Sequence, residues 1–300
     1  MSRDLKRQSA LLGTHDLFKN GVVWDEVTAQ RMVDVLDQRS ASLDQVKLRE
    51  RIIELSGVGP GDSVVEIGCG TGALLCDLAR SVGPGGRVIG TDVQPAFVQA
   101  AIERLSKAGY ASISEVKSES AEKLSLGSES ANVCFAQTTL VHLPEKILRQ
   151  ALLEMVRVVR KGGKVISVDQ DGDTWIIDHP NRDLTRRIVA FNCDHRYADG
   201  WTGRRLRRFF REAGLCDAAV YPWTHMDVEA ESYLFAMATR LAKAAAEAGV
   251  ILMTEHDEWM QQLYATASAG NFFSSINFYT CVGTRANQNG KRSHYVGLYG

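Results

Sequence analysis

Five residues in the first third of the chain have the type and spacing to act on a bound ligand: the acid Glu66, the glycines Gly68, Gly70 and Gly72, and a second acid, Asp92. Val64-Val65-Glu66-Ile67 is a short apolar run that ends in an acid, and Ala73-Leu74-Leu75 begins a helical pattern, so the spacing predicts strand, tight turn, helix. Glycine at alternate positions lets the backbone bend sharply and leaves the peptide planes open to a ligand where a Cβ would otherwise lie. Such a turn is a cofactor cradle. Asp92 closes the next predicted strand, and from a strand end a carboxylate can accept hydrogen bonds from both hydroxyls of a ribose. Gln94-Pro95 also starts a helix, which leaves helix capping as the other use of Asp92.

The cradle alone is ambiguous, because Gly68-x-Gly70-x-x-Ala73 also satisfies the looser dinucleotide fingerprint of a nicotinamide-dependent oxidoreductase. Glu66 separates the two readings. A carboxylate beneath the turn repels a pyrophosphate lying over it and attracts an ammonium group. Glu66-Ile67-Gly68-Cys69-Gly70-Thr71-Gly72 resembles the first motif of the class I S-adenosylmethionine-dependent methyltransferases, in the small-molecule branch of ubiquinone and menaquinone biosynthesis. The resemblance implies S-adenosyl-L-methionine as cofactor, with Glu66 at its amino-acid moiety, Asp92 on the ribose and Val93 beside the adenine. It also implies that Ser118 to Leu124 is the adenine-edge loop. There Ser120 stands where the family often has Asp, with Ala121 next to it, so the usual acceptor for the adenine amino group is missing.

After the fourth strand the same resemblance makes Gln137 and Thr138 cofactor contacts and brings His142 to where acceptor and methyl group meet. Histidine, with an unperturbed pKa near ~6.5, accepts a proton close to neutrality, so His142 is the candidate general base. Asp169 and Asp171, after strand five, are candidates to orient that imidazole or replace it. Bonding a backbone group at the strand-helix junction is the other use of His142. An N-terminal segment that folds over the cofactor is common in the family, and Phe18 and Trp24 are its apolar anchors here. The expected reaction is transfer of a methyl group to an O, N or C atom of a small organic acceptor, in which the protein positions and desolvates the reactants. A non-catalytic S-adenosylmethionine-binding subunit would carry the same cradle.

These residues need a scaffold, and the pattern supplies one. Short apolar strands alternate with helical patterns from Pro60 for about a hundred residues, the mark of a parallel sheet with helices on both faces. Strands are expected at 63–67, 87–92, 111–116, 131–136 and 165–169, with a helix at 147–159 that Gly162 and Gly163 cap. Later strands at 216–223 and 273–283 match the family's sixth and seventh. The fold expected is thus α/β, a Rossmann-like sheet of seven strands, parallel except for an antiparallel seventh. Residues 1–57 form an N-terminal helical lid and 58–285 the main domain. Insertions at about 171–201 and 227–271 build the acceptor pocket over the carboxyl ends of the strands, and 286–300 is an exposed tail.

Composition narrows the partners. The 300 residues carry a formal net charge of -1, and 45% are hydrophobic, so no global basic field draws a nucleic acid or a membrane surface. No apolar run approaches the ~18 residues of a membrane span, nor does the amino terminus resemble a signal peptide, so a cytoplasmic protein is expected. Six scattered cysteines without a Cys-x-x-Cys pair suggest reduced thiols. Asp178-His179 and Asp194-His195 fit no known ligand spacing, so no metal is expected. The run Arg204, Arg205, Arg207, Arg208 and Arg211, interleaved with Leu206, Phe209 and Phe210, reads as a solvated helix face, with a substrate-phosphate clamp as the sharper alternative. A homo-oligomer is compatible with all of this.

Overall fold

The computed structural model describes residues 24–287. Phe18 and the tail from 288 lie outside the described residues. The chain opens with two helices, α1 (Glu26–Ala41) and α2 (Leu43–Ser56), and then enters the alternating unit: β1 (Ser63–Ile67), α3 (Ala73–Val82), β2 (Arg87–Asp92), α4 (Pro95–Lys107), β3 (Ser114–Ser118), β4 (Ala131–Gln137), α5 (Glu145–Val158) and β5 (Val159–Gln170). A two-residue strand β6 (Ile176–Ile177), helices α6 (Arg182–His195) and α7 (Thr202–Glu212), strand β7 (Leu215–Asp227), helices α8 (Tyr233–Glu247) and α9 (Met253–Ser268), and strand β8 (Ser274–Arg285) complete it.

The sheet runs β3-β2-β1-β4-β5-β8-β6, with β7 also paired to β8. The first five strands are parallel and β8 is antiparallel to β5, β6 and β7. The sheet therefore has eight strands where seven were expected, the extra one being β6, which pairs only Ile176 and Ile177 with the start of β8. Side chains alternate between two cores, as a pleat with period two demands. Val64, Val88, Val133 and Ile166 face α2, α3 and α4, while Val65, Ile89, Cys134 and Val165 face α5 and α7. Burial on both faces explains why these strands read as continuous apolar runs.

Two boundaries differ from the sequence reading. The weak strand β3 starts at Ser114, because Ala111–Ile113 first close a 3-10 turn. Gly162 and Gly163 do not cap α5. The helix ends at Val159 in extended backbone, and residues 160–163 already belong to β5, where the β4–β5 register slips between Ala131 and Val133. The glycines serve that bulge: Gly162 has φ +74°, and a Cβ on Gly163 would stand 2.4 Å from the carbonyl oxygen of Asn132.

The amino-terminal helices are tied onto the cradle by charge. Arg49 of α2 donates to Asp77 of α3 at 2.7 Å, and both are largely buried. Asp37 of α1 pairs with Arg104 of α4 and accepts from the Thr71 hydroxyl at 2.6 Å, while Arg104 Nε donates to the Thr71 carbonyl at 2.7 Å. One carboxylate thus joins α1, the cradle turn and α4. Among the described residues no helix is long and apolar enough to cross a membrane.

Replacing Gly163 by alanine is expected to lower stability by roughly 1–3 kcal/mol, since the added carbon meets backbone on one side and Val159 on the other. Urea unfolding of the variant reads this directly; an unshifted midpoint would mean that the bulge has room to yield.

Candidate functional site

A cavity of about 530 Å³ opens at the carboxyl ends of β1, β2, β4 and β5. Its floor is the β1–α3 turn. Gly68 has φ +61° and Gly70 φ +51°, left-handed backbone that favours glycine. The three glycines have different reasons to be there. A Cβ on Gly68 would overlap the Thr139 side chain, one on Gly70 would lie 3.1 Å from Leu36 of α1, and one on Gly72 would press on Ala101 of α4. Gly68 and Gly70 line the cavity, whereas Gly72 is the packing contact between α3 and α4.

Glu66 is 2% exposed, lines the cavity, and its Oε2 has no hydrogen-bond partner among the described residues. Burial holds its carboxyl well above the usual range, opposed by Arg49 and reinforced by Asp92 and Asp77. Arg49 itself is committed to Asp77 and to the Ser40 carbonyl. A buried acceptor without a donor is costly unless a ligand supplies one, and an ammonium group at this point would supply both proton and charge. The cradle and Glu66 therefore fit the expected cofactor.

Asp92 does two jobs at once. Its Oδ2 accepts from the Gly70 N–H and its Oδ1 from the Gln94 N–H, each at 2.9 Å, so it braces the cradle and starts α4. Asp92 also lines the cavity, and a carboxylate has more acceptor sites than these two donors use. Val93, Ser120, Ala121, Gln137, Thr138 and His142 line the same space. Ser120 is held in its loop by the Glu122 N–H, which donates to its hydroxyl at 3.3 Å. Thr138 has φ +50°, a genuine outlier for a β-branched residue, fixed by its N–H to the Val168 carbonyl at 2.7 Å and by Arg39, which donates to its hydroxyl at 2.7 Å. His142, in the 3-10 turn after β4, packs against the Tyr197 ring with centroids 5.5 Å apart.

Besides Gly72, three expected residues stand off the cavity. Trp24 is not among its lining residues; its ring lies edge-on to that of Phe97, which is, with centroids 5.2 Å apart. Asp171 is buried in a bidentate pair with Arg204, at 2.5 and 2.6 Å, and does not reach His142's space. Asp169 lies under the His142 turn, accepting from the Val141 N–H at 3.1 Å and the Ser167 hydroxyl at 2.9 Å. It supports the turn from below. The arginine face of α7 is spent on ion pairs, Arg204 with Asp171 and Arg205 with Asp199, over buried Leu206, Phe209 and Phe210, and none of its arginines lines the cavity. His179 is a packing residue stacked on Trp259.

What the sequence reading missed comes from the helical additions: Arg39 of α1, Tyr197 after α6, and Tyr233 and Arg240 of α8 all line the cavity. No local motif marks them.

Against known proteins, a family profile described as "Methyltransferase domain" matches residues 64–163. An uncharacterised 37.1 kDa protein of a transposon in Streptomyces fradiae is 29% identical over 83% of this chain and 70% of that one. The ubiquinone/menaquinone biosynthesis C-methyltransferase of Ectopseudomonas mendocina is 30% identical over 56% of this chain and 68% of its own length. The chain spans about half the length of other curated relatives it matches. Among solved structures, a geranyl diphosphate C-methyltransferase of Streptomyces coelicolor, crystallised with S-adenosyl-L-homocysteine, superposes with a TM-score of 0.51 at 13% identity, covering 91% of this chain and 87% of that one. That likeness is one of fold.

Burial lifts the Asp169 carboxyl from 3.8 to about 7, against the two hydrogen bonds that favour its charged form. The folded state then binds this proton more tightly than the unfolded chain, so the Asp169 contribution to stability is present below about pH 4 and is lost as pH rises through 7. Asp169→Asn lacks that loss. Compared by urea unfolding across this window, the variant is expected to gain on the parent as pH rises; a constant difference would remove Asp169 from the titration.

Proposed function

The chain belongs to the class I S-adenosylmethionine-dependent methyltransferases, and we propose that it methylates a small organic acceptor held between the cradle, the His142 turn and α8. The observation that carries this reading is Glu66, a buried carboxylate with an unsatisfied oxygen at the base of a glycine cradle. The cofactor, S-adenosyl-L-methionine, supplies a methyl group on a positive sulfur that an electron-rich acceptor atom displaces in line.

Each residue then has a role its surroundings support. Glu66 receives the ammonium of the amino-acid moiety, and Arg39, held over the cradle by Thr138 and Gln45, offers the cation for its carboxylate. Asp92 takes the ribose hydroxyls on the lone pairs that Gly70 and Gln94 leave free. Val93 and Ala121 flank the adenine, with the Ser120 hydroxyl in place of the usual acid. Gln137 closes the strand side. Helix α1, locked by Asp37 to Thr71 and Arg104, covers the cradle and keeps water out, which strengthens every charge interaction beneath it.

For the chemistry, His142 is the candidate base, facing the acceptor space beside Tyr197, whose ring packs on it with centroids 5.5 Å apart. Asp169 fixes the turn that carries His142 and acts through it, not on the acceptor. An aliphatic or aromatic acceptor fits the mixture of Met237, Leu241, Ile276 and Phe278 on the opposite wall. Apolar surface excludes the hydration shell that would otherwise slow attack.

Calorimetry with S-adenosylhomocysteine and a nicotinamide dinucleotide side by side tests the cofactor assignment. The parent protein is expected to bind the first and not the second, and Gly70→Leu to lose about tenfold or more in affinity with circular dichroism unchanged, since the side chain enters the ligand's space. Preference for the dinucleotide, or full affinity in the variant, would end this reading. For the base, His142→Ala is expected to lower turnover of an identified acceptor about 10²–10⁴-fold and leave cofactor affinity intact. Unchanged turnover would take His142 out of the mechanism.

A further inference from the structure

Beyond the cradle the cavity carries a group of cations that methyl transfer to a neutral molecule would not need. Arg240 of α8 projects into it half-buried, Arg31 of α1 stands at its rim, and Arg196 follows α6 on the third side. Three helices that are far apart in sequence therefore deliver guanidinium groups to one space. Neither Arg31 nor Arg240 has an ion pair or hydrogen-bonded carboxylate among the described residues. Six other arginines, Arg49, Arg104, Arg149, Arg157, Arg187 and Arg204, do have carboxylate partners.

The surroundings of Arg240 sharpen the contrast. Burial lowers its pKa, Tyr233 opposes that, and Arg31 and Arg196 lower it further; no carboxylate is among the groups that act on it. Glu247, about two turns along α8, also lines the cavity but pairs with Lys243 at 3.8 Å. Like charges drawn together in a partly desolvated space oppose folding unless a counter-ion joins them. Guanidinium groups fit oxyanions in particular, because their paired N–H donors match two oxygens at once.

The cofactor does not supply that anion. Its carboxylate has a cation at the cradle, Arg39, hydrogen-bonded to Thr138. Arg31 lies eight residues earlier on the same helix, roughly 12 Å along its axis. Arg31 is nonetheless near enough to Arg240 of α8 to act on its charge. Tyr233 is near both Arg240 and Tyr197, the ring that packs on His142, and all of them line one cavity, so an acceptor anchored at Arg240 has a continuous space leading to the base.

We propose that Arg240, with Arg31 and Arg196, is the subsite for an oxyanion carried by the acceptor, a phosphate ester or a carboxylate, which fixes the molecule with its reacting atom toward His142. The proposal rests on the methyltransferase reading above and narrows its substrate class to anionic acceptors.

The test is calorimetry on the full chain saturated with S-adenosylhomocysteine, titrated at low salt with inorganic phosphate, pyrophosphate and benzoate. At least one of the three is expected to bind, phosphate or pyrophosphate pointing to a phosphorylated acceptor and benzoate to a carboxylic acid. Arg240→Gln is expected to weaken that binding about 10- to 100-fold, the loss of a charge-assisted pair, with Arg240→Lys intermediate and Arg31→Gln, at the rim, showing a smaller loss that guards against misfolding of the first variant. Arg208→Gln, on the ion-paired face of α7, should bind as the parent does. The proposal is overturned if none of the three anions binds, if Arg240→Gln binds them as well as the parent, or if Arg240→Gln loses S-adenosylhomocysteine to the same extent, which would give the arginines to the cofactor. Failure of S-adenosylhomocysteine to bind the parent, with anion binding intact, would instead remove the methyltransferase reading and leave an oxyanion site of other purpose.

Discussion

One carboxylate holds the site together. Asp92 receives the N–H of Gly70 from the neighbouring strand's turn and the N–H of Gln94 from the start of α4, both at 2.9 Å and both inside the protein. Charge-assisted bonds of this kind are about twice as strong as neutral ones, and their loss inside a protein leaves backbone donors unsatisfied. The bond to Gly70 fixes a left-handed turn that would otherwise be free to flip. The bond to Gln94 fixes the helix that carries Arg104. Cradle, strand end and the helix whose Arg104 holds α1 are therefore positioned from a single point, at a residue that also lines the cavity.

The second constraint is the acid pair at the centre. Glu66 and Asp92 are both buried, burial raises the proton affinity of each, Asp92 raises that of Glu66 further, and Arg49, which also pairs with Asp77, opposes this for Glu66. A fold that keeps two carboxylates together away from water gives up stability at that spot. The loss is tolerable when a cationic ligand group arrives between them. Elsewhere the charges are neutralised within the protein: Asp37 by Arg104, Asp171 by Arg204, Glu154 by Arg157. Satisfied pairs hold the frame, whereas Glu66 keeps an oxygen with no hydrogen-bond partner among the described residues and Arg240 has no carboxylate among the groups that act on it.

Helices added around the sheet complete the cavity. The β1–α3 and β2–α4 junctions line one part of it, α1 adds Arg39 above the cradle, and Tyr197 after α6 and Tyr233 and Arg240 of α8 line the rest. This division follows from the sheet itself. Parallel strands all end on one edge, so ligands collect there, and chain added after β5 and before β8 can only lie over that edge.

The sequence by itself determined the sheet and its cradle. Strands β1 and β2 appear at the residues expected, because a strand buried on both faces must be apolar throughout and the glycines and acids at its end have few other uses. Glu66, Gly68, Gly70 and Asp92 come together for the same reason: they lie within one β-turn-α-β stretch, where local spacing fixes geometry. Its reading failed where geometry depends on contacts across the chain. Gly162 and Gly163 looked like helix caps, but the β4–β5 register slip decides their place. Asp171 looked like a partner for His142, yet Arg204, thirty-three residues on, takes it. The far wall of the cavity was illegible for the same cause, since Arg31, Arg196 and Arg240 sit on three helices whose angles of approach are set by packing, and no spacing along the chain encodes which of their faces meet.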